Sequence, residues 1–338
     1  MIIAFTGVYK AMTAKNYLFL NPNAQFGDDV LKPWNEYKLL AEKNGDTVCT
    51  ADMIEPLDAD IFVFLEIPDK KDPILEFAVK NNKRRYAVCL ESPISGNAFN
   101  ENREMHKMFD KVFTYRDDLV DGKKYIKINY SFVFPKVKEH GYNERGKFAV
   151  ILCGNHHSNM PNELYSKRLE CINWFEDHHS AELDLYGPGW NKNTDANPVK
   201  KFLKCLMRGK RYPDRKYNVY KGIVERKSHV MPRYKFCICY ENCSGTPGYI
   251  TEKIFDCFFS GVVPVYWGAE NISSHIPGNC YIDKREFSSY EELHRYLKEM
   301  SPKEFLRYQA SARSFLSGQM GEAFSSKRFA ETLIRNMV

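Results

Sequence analysis

Residues 234–267 read YKFCICYENCSGTPGYITEKIFDCFFSGVVPVYW. Tyr234–Tyr240 is a near-continuous apolar run, the pattern of a strand buried on both faces. Ser244-Gly245-Thr246-Pro247-Gly248 is a turn. Tyr249–Ser260 carries helical spacing, and Gly261 suits the stop. At roughly 100° per residue, Tyr249, Glu252, Lys253 and Asp256 share one face, and Ile250, Ile254, Cys257 and Phe258 the other. Val262–Trp267 is a second apolar run. Strand, helix and strand at this spacing predict a parallel sheet with helices packed on it.

The polar face of that helix sets an aromatic, a carboxylate and an ammonium near its first turn. That end carries unpaired N–H groups and the positive pole of the helix. The N–H groups and Lys253 suit a phosphate, and Glu252 suits a diol such as ribose. The same spacing also fits an ordinary amphipathic helix with a Glu/Lys surface pair. Spacing alone leaves both readings open.

Outward from this segment the alternation continues. Phe148–Cys153 and Glu182–Tyr186 read as strands around a helix at Asn162–His178. In the first half, Met1–Tyr9, Ala59–Ile67, Arg85–Leu90 and Lys111–Tyr115 read as strands, with helices at Trp34–Asn44 and Asp72–Asn81. Ser301-Pro302-Lys303-Glu304 is a capping box. The charged break Lys136–Lys147 separates the two series. A chain of 338 residues suits two domains. The expected units are 1–143, 144–320 and a C-terminal helix in 321–338 that packs back on the first. Two such domains leave a ligand-holding cleft at the strand ends.

Composition narrows the classes. Hydrophobic residues at 43% and charged residues at 27% exclude wholesale disorder. The longest apolar stretch, Ile254–Ala269, is broken by Asp256, Ser260, Gly261 and Pro264, too short for a membrane helix. The start MIIAFTGVYKAMTAK lacks the features of an export signal. A cytoplasmic protein is expected, with free thiols at its ten cysteines. His156-His157 and His178-His179 are adjacent pairs whose side chains diverge, and Asp58-Ala59-Asp60 precedes a strand. No metal site is expected from either. Residues 200–235 hold 13 Lys/Arg against 2 Asp/Glu, on an otherwise mildly acidic chain. That zone suits an anionic ligand or a peripheral membrane contact at the inner face. Nucleic acid is not expected, because no zinc finger or RNP aromatic pattern accompanies the charge.

Tyr234-Lys235-Phe236, Tyr240-Glu241-Asn242, Gly248-Tyr249-Ile250-Thr251-Glu252-Lys253 and Val263-Pro264-Val265-Tyr266-Trp267-Gly268 occur in that order. The series resembles the signature of the α-1,3-fucosyltransferase family, most closely its bacterial branch. Glu91-Ser92-Pro93, Tyr115-Arg116-Asp117-Asp118, Ser158-Asn159 with Arg168, and Asp184-Leu185-Tyr186-Gly187 resemble further family elements. Roughly the first 80 residues show no match. Tyr-Glu-Asn-Cys at 240–243 and the Pro247 turn depart from the usual pattern.

The resemblance implies a GT-B fold, two Rossmann-like domains facing a cleft. It implies GDP-L-fucose as donor, inversion at the anomeric carbon, and no required cofactor or metal. It makes Glu91 the general base, at a strand end facing the cleft. It makes Arg168 and Lys253 the diphosphate cations. Glu252 goes to ribose, and Tyr249 and Asn242 to the nucleotide. Tyr186 and Gly187 are placed near the donor. The acceptor is expected to be an oligosaccharide or lipid-linked glycan containing GlcNAc, such as N-acetyllactosamine. Two alternatives remain: a GT-B enzyme using another nucleotide sugar, and a catalytically silent glycan-binding or nucleotide-sugar-binding protein.

Overall fold

The structure is a computed structural model that describes residues 1–21, 29–95, 98–136, 141–190 and 215–337. Most of the basic zone's first half, up to residue 214, lies outside the described residues, as does Val338.

Two six-stranded, all-parallel sheets form the molecule. The first contains β1 (Ile2–Gly7), β2 (Thr47–Thr50), β3 (Ile61–Leu65), β4 (Arg84–Cys89), β5 (Lys111–Thr114) and β6 (Tyr125–Lys127), in the order 2-1-3-4-5-6. The second contains β7 (Lys147–Leu152), β8 (Leu183–Tyr186), β9 (Tyr220–Gly222), β10 (Tyr234–Tyr240), β11 (Val263–Trp267) and β12 (Ile282–Asp283), in the order 12-11-10-7-8-9. Apolar continuity explains the central strands. Every residue of β3 is buried, because helices cover both faces of a parallel sheet.

Helix starts follow local chemistry. Asp72 caps α1 (Pro73–Lys80) by accepting the N–H groups of Ile74 and Leu75 at 3.0 and 3.1 Å. In the second half, α2 (Tyr165–His178) starts later than its apolar spacing suggests. Asn162 is left-handed at φ 62, and the Leu164 N–H goes to the Asn242 carbonyl at 2.8 Å. The signature helix, α3 (Glu252–Phe259), is also shorter than expected. Thr251 is extended, and its N–H donates to the Glu241 carboxylate at 2.8 Å. Tyr249 and Ile250 therefore precede the helix, and Tyr249 does not share its polar face. Ser301 caps α4 (Pro302–Ser317), accepting the Glu304 N–H at 3.2 Å.

The chain crosses between the sheets twice, and the crossings are bonded to each other. Leaving β6, Phe132 and Phe134 pack on Phe255 and Phe259 of α3. On return, Ser326 donates its N–H to the Phe132 carbonyl, while Phe132 donates to Phe324. The last helix, α5 (Ser326–Asn336), then lies on the first sheet's side of the molecule. Phe329 meets the Trp34 ring edge-on at 4.8 Å, and the Tyr86 hydroxyl donates to the Met337 carbonyl.

Phe329 is buried and fills the space against Trp34. Phe329→Ala is expected to cost about 3 kcal/mol in urea unfolding. Lys327→Ala, on the exposed face of the same helix, should cost less than about 0.5 kcal/mol.

Candidate active site

In the second sheet, strand order reverses between β7 and β10, so their C-terminal ends flank a crevice. A recess at this point is lined by Cys153, Arg168, Lys227, Tyr240, Lys253 and Asp256, among others. Arg168 projects from α2 and is 4% exposed. Its guanidinium donates to the Tyr240 carbonyl at 2.8 and 3.2 Å and to the Asn242 side-chain oxygen at 2.9 Å. It also lies over the Tyr165 ring at 5.1 Å. Among the described residues it pairs with no carboxylate. Its fork is thus held by neutral acceptors, with its charge uncompensated.

Lys253 stands in the first turn of α3. Its ammonium donates to Glu241 at 3.2 Å and to the Thr251 hydroxyl at 3.0 Å, and lies 3.5 Å from Glu252. Burial disfavours that charge, but Glu241 and Glu252 outweigh it and hold the lysine more firmly protonated than usual. Burial likewise pushes the Glu252 carboxyl up, yet Lys253 and Lys227 hold it down at about 2. Lys227 bridges Asp256 at 2.6 Å and Glu252 at 3.8 Å. The recess therefore carries a fixed lattice of paired charges beside one unpaired guanidinium.

The remaining expected donor residues separate. Asn242 orients Arg168 through its side chain. Gly187 follows β8 at φ 138, where a Cβ would lie 2.1 Å from the Cys153 carbonyl oxygen, so only glycine lets the two strand ends approach. Tyr186 points elsewhere: its hydroxyl meets Tyr234, which donates to Asp184 at 2.6 Å. Tyr249 is buried against Tyr115 and Tyr130 of the first half, with ring centroids at 5.2 and 6.2 Å.

Glu91 follows β4. Burial pushes the Tyr165 hydroxyl up, Arg168 and Lys253 pull it down, and the more distant Glu91 pushes it up. The Tyr115 hydroxyl donates to the Glu91 carbonyl at 3.1 Å. Burial, and after it the Glu91 charge, push the Tyr9 hydroxyl up.

Four residues went unassigned in the sequence reading. Glu241 and Glu66 each end an apolar strand with an acid, which is the signal that marked Glu91. Lys227 sat within the basic zone. Tyr9 had no signal beyond its place at the end of β1. Of the histidines, His179 stacks on His294 at 3.9 Å, and both face Glu182. These three groups lie close enough to share an ion, but the Lys298 ammonium already donates to Glu182 at 2.7 Å. Asp60 of the Asp-x-Asp run accepts the Ile2 N–H at 2.7 Å, a backbone tie.

The sequence model of glycosyltransferase family 10 (fucosyltransferase), C-terminal part, matches residues 148–315. These residues form a domain of that family. An α-(1,3)-fucosyltransferase of Helicobacter pylori is 35% identical over 75 residues, 22% of this chain and 16% of the relative. An α-(1,4)-fucosyltransferase of Arabidopsis thaliana is 37% identical over 94 residues, 27% of this chain and 23% of the relative. The chain thus matches under a quarter of either curated relative. A crystal structure of an α1,3-fucosyltransferase with GDP-fucose superposes at a TM-score of 0.51, 15% identical, over 99% of this chain and 89% of that one. That likeness shows the GT-B fold. The family match contains Arg168, Asn242, Glu252 and Lys253, whereas Glu91 lies outside it.

Glu252 yields a pH test. Its carboxyl is depressed in the fold from 4.5 to about 2. Its contribution to stability is present above pH 4.5 and is lost as pH falls toward 2. Between pH 6 and 3, the Tm of Glu252→Gln should fall less steeply than that of the parent protein.

Proposed function

We propose that the chain is an inverting, metal-independent α-1,3-fucosyltransferase. It moves L-fucose from GDP-β-L-fucose to a hydroxyl of a GlcNAc-containing glycan, of the N-acetyllactosamine type, free or lipid-linked. Glu91 takes the acceptor hydroxyl proton as that oxygen attacks C1. The new C1–O bond forms on the face opposite the phosphate, and the C1–O bond to the diphosphate breaks. Negative charge then grows on the departing GDP, where Arg168 and Lys253 meet it. Glu252, at the same helix start, hydrogen-bonds the ribose.

The observation that carries this reading is Arg168, a buried guanidinium with only neutral partners among the described residues, beside Lys253 at a strand-order switch point. Such a charge favours an anion, and its planar fork matches a diphosphate. The family match and the GT-B likeness to a structure with GDP-fucose support fucose as the sugar. No described helix is long and apolar enough to cross a membrane. We place the reaction in the cytoplasm, with lipid-linked acceptors met at the inner membrane face.

The test is release of GDP from GDP-L-fucose, with and without N-acetyllactosamine, in EDTA. Acceptor-stimulated release that survives EDTA is the expected result. Thermal stabilisation by UDP but not GDP would reassign the donor. Glu91→Gln should keep its stabilisation by GDP and lose about a hundredfold or more in turnover. A silent binding protein would lose nothing from that substitution. Arg168→Ala should weaken GDP binding by about tenfold to a hundredfold.

A further inference from the structure

In the first sheet the strand order reverses between β1 and β3, and the ends of β1, β3 and β4 bring Tyr9, Glu66 and Glu91 into one group. Glu66 is 4% exposed and sits at φ 65, in the left-handed region that a glutamate avoids. The strained backbone accompanies a side chain that reaches over the end of β4. One carboxylate oxygen accepts the N–H of Leu90 at 2.9 Å and that of Glu91 at 3.1 Å. The other accepts from the Asn100 amide, whose own oxygen takes the Ile67 N–H at 2.9 Å. A buried acid and a strained residue both cost stability, and satisfying two half-buried N–H groups does not require either.

We infer that Glu66 is a positioning residue for the base: its carboxylate clamps the peptide N–H groups of Leu90 and Glu91, and it sets a second acid beside Glu91. The inference rests on Glu91 being the base. Clamping both N–H groups fixes the backbone from which the Glu91 side chain reaches the cleft. A second carboxylate beside the first makes the pair hold a proton more strongly. Burial pushes Glu66 up to about 7 with help from Glu91, against the hydrogen bonds from Leu90, Glu91 and Asn100. Glu66 thus changes charge near neutral pH. The other titratable groups whose fields meet it are Tyr9, Cys89, Tyr115 and Tyr130. Burial pushes all four up, so they stay neutral through this range.

Steady-state kinetics across pH 5.5–8.5, with GDP-L-fucose and N-acetyllactosamine, test this. The parent rate should rise through an inflection near pH 7. Glu66→Gln should erase that inflection and lower kcat by about tenfold to a hundredfold. The KM for donor and the stabilisation by GDP should hold within about twofold, because the donor recess lies on the other sheet. Asn100→Ala, which removes one donor to the carboxylate, should move the inflection above pH 7. That variant keeps the test open if Glu66→Gln does not fold. Loss of kcat with the inflection unmoved would reduce Glu66 to a structural part and overturn the inference. Glu91→Gln that retains turnover would defeat the base reading itself. Inactive Glu91→Gln beside unaltered Glu66→Gln would defeat this inference alone.

Discussion

The second half of the chain is organised by the buried carboxylate of Glu241. It is fully buried, at the end of β10, and it accepts the Thr251 N–H, the Thr251 hydroxyl and the Lys253 ammonium. A buried carboxylate is tolerable only when its oxygens are satisfied and its charge is matched. That requirement fixes where α3 can begin. The N–H that would have joined another helical turn is taken by Glu241, so the helix opens at Glu252 and Tyr249 is freed from it. The same constraint brings Lys253 back toward the strand end, beside Arg168, rather than out into solvent. One acid thereby sets the helix start, the cation's position and the fate of an aromatic.

That aromatic joins a seam between the sheets. Tyr249 packs on Tyr115 and Tyr130. Beside it, Asp117 faces His275 at 2.6 Å, accepts from Asn271 at 2.8 Å and binds Lys127 at 2.6 Å. Asn271 in turn accepts the Gly248 N–H. Gly248 lies at φ 79, and a Cβ there would sit 2.3 Å from the Tyr115 carbonyl oxygen. The turn before α3 is thus shaped by the opposite half as much as by its own sheet. A polar network of this kind specifies a mutual orientation that apolar packing alone would leave loose.

Much of the architecture was legible because parallel strands write themselves as apolar runs. Ile61–Leu65 and Tyr234–Tyr240 needed no context to be read. The edge strands Tyr125–Lys127, Tyr220–Gly222 and Ile282–Asp283 were not legible, since two or three residues carry no period. The cations Arg168 and Lys253 were found through the resemblance. Their holders were not, because Glu241 and Asn242 act through a tertiary arrangement that spacing does not encode. Tyr249 was misplaced for a related reason: helical spacing ran smoothly from 249 to 260, and only the side chain of Glu241, eight residues upstream, interrupts it. Glu66 shows the limit most sharply. A strand-end acid gives no sign in sequence of a left-handed backbone or of the N–H groups it will reach.

The two halves use carboxylates for opposite ends. In the second sheet, Glu241, Glu252 and Asp256 hold ammonium groups in place, so the cations are set before any ligand arrives. Lys227 and Lys253 gain fixed geometry and lose part of their field to those partners. Arg168 does the reverse, keeping its full charge because carbonyl and amide oxygens hold it. An anion entering this recess would therefore meet an uncompensated charge at Arg168 and a partly compensated one at Lys253. In the first sheet no described cation pairs with Glu66, and backbone N–H groups hold it instead. Peptide donors immobilise a carboxylate without cancelling its charge as fully as an ammonium would. A lysine at the same place would instead cancel the charge that Glu66 sets beside the Glu91 peptide.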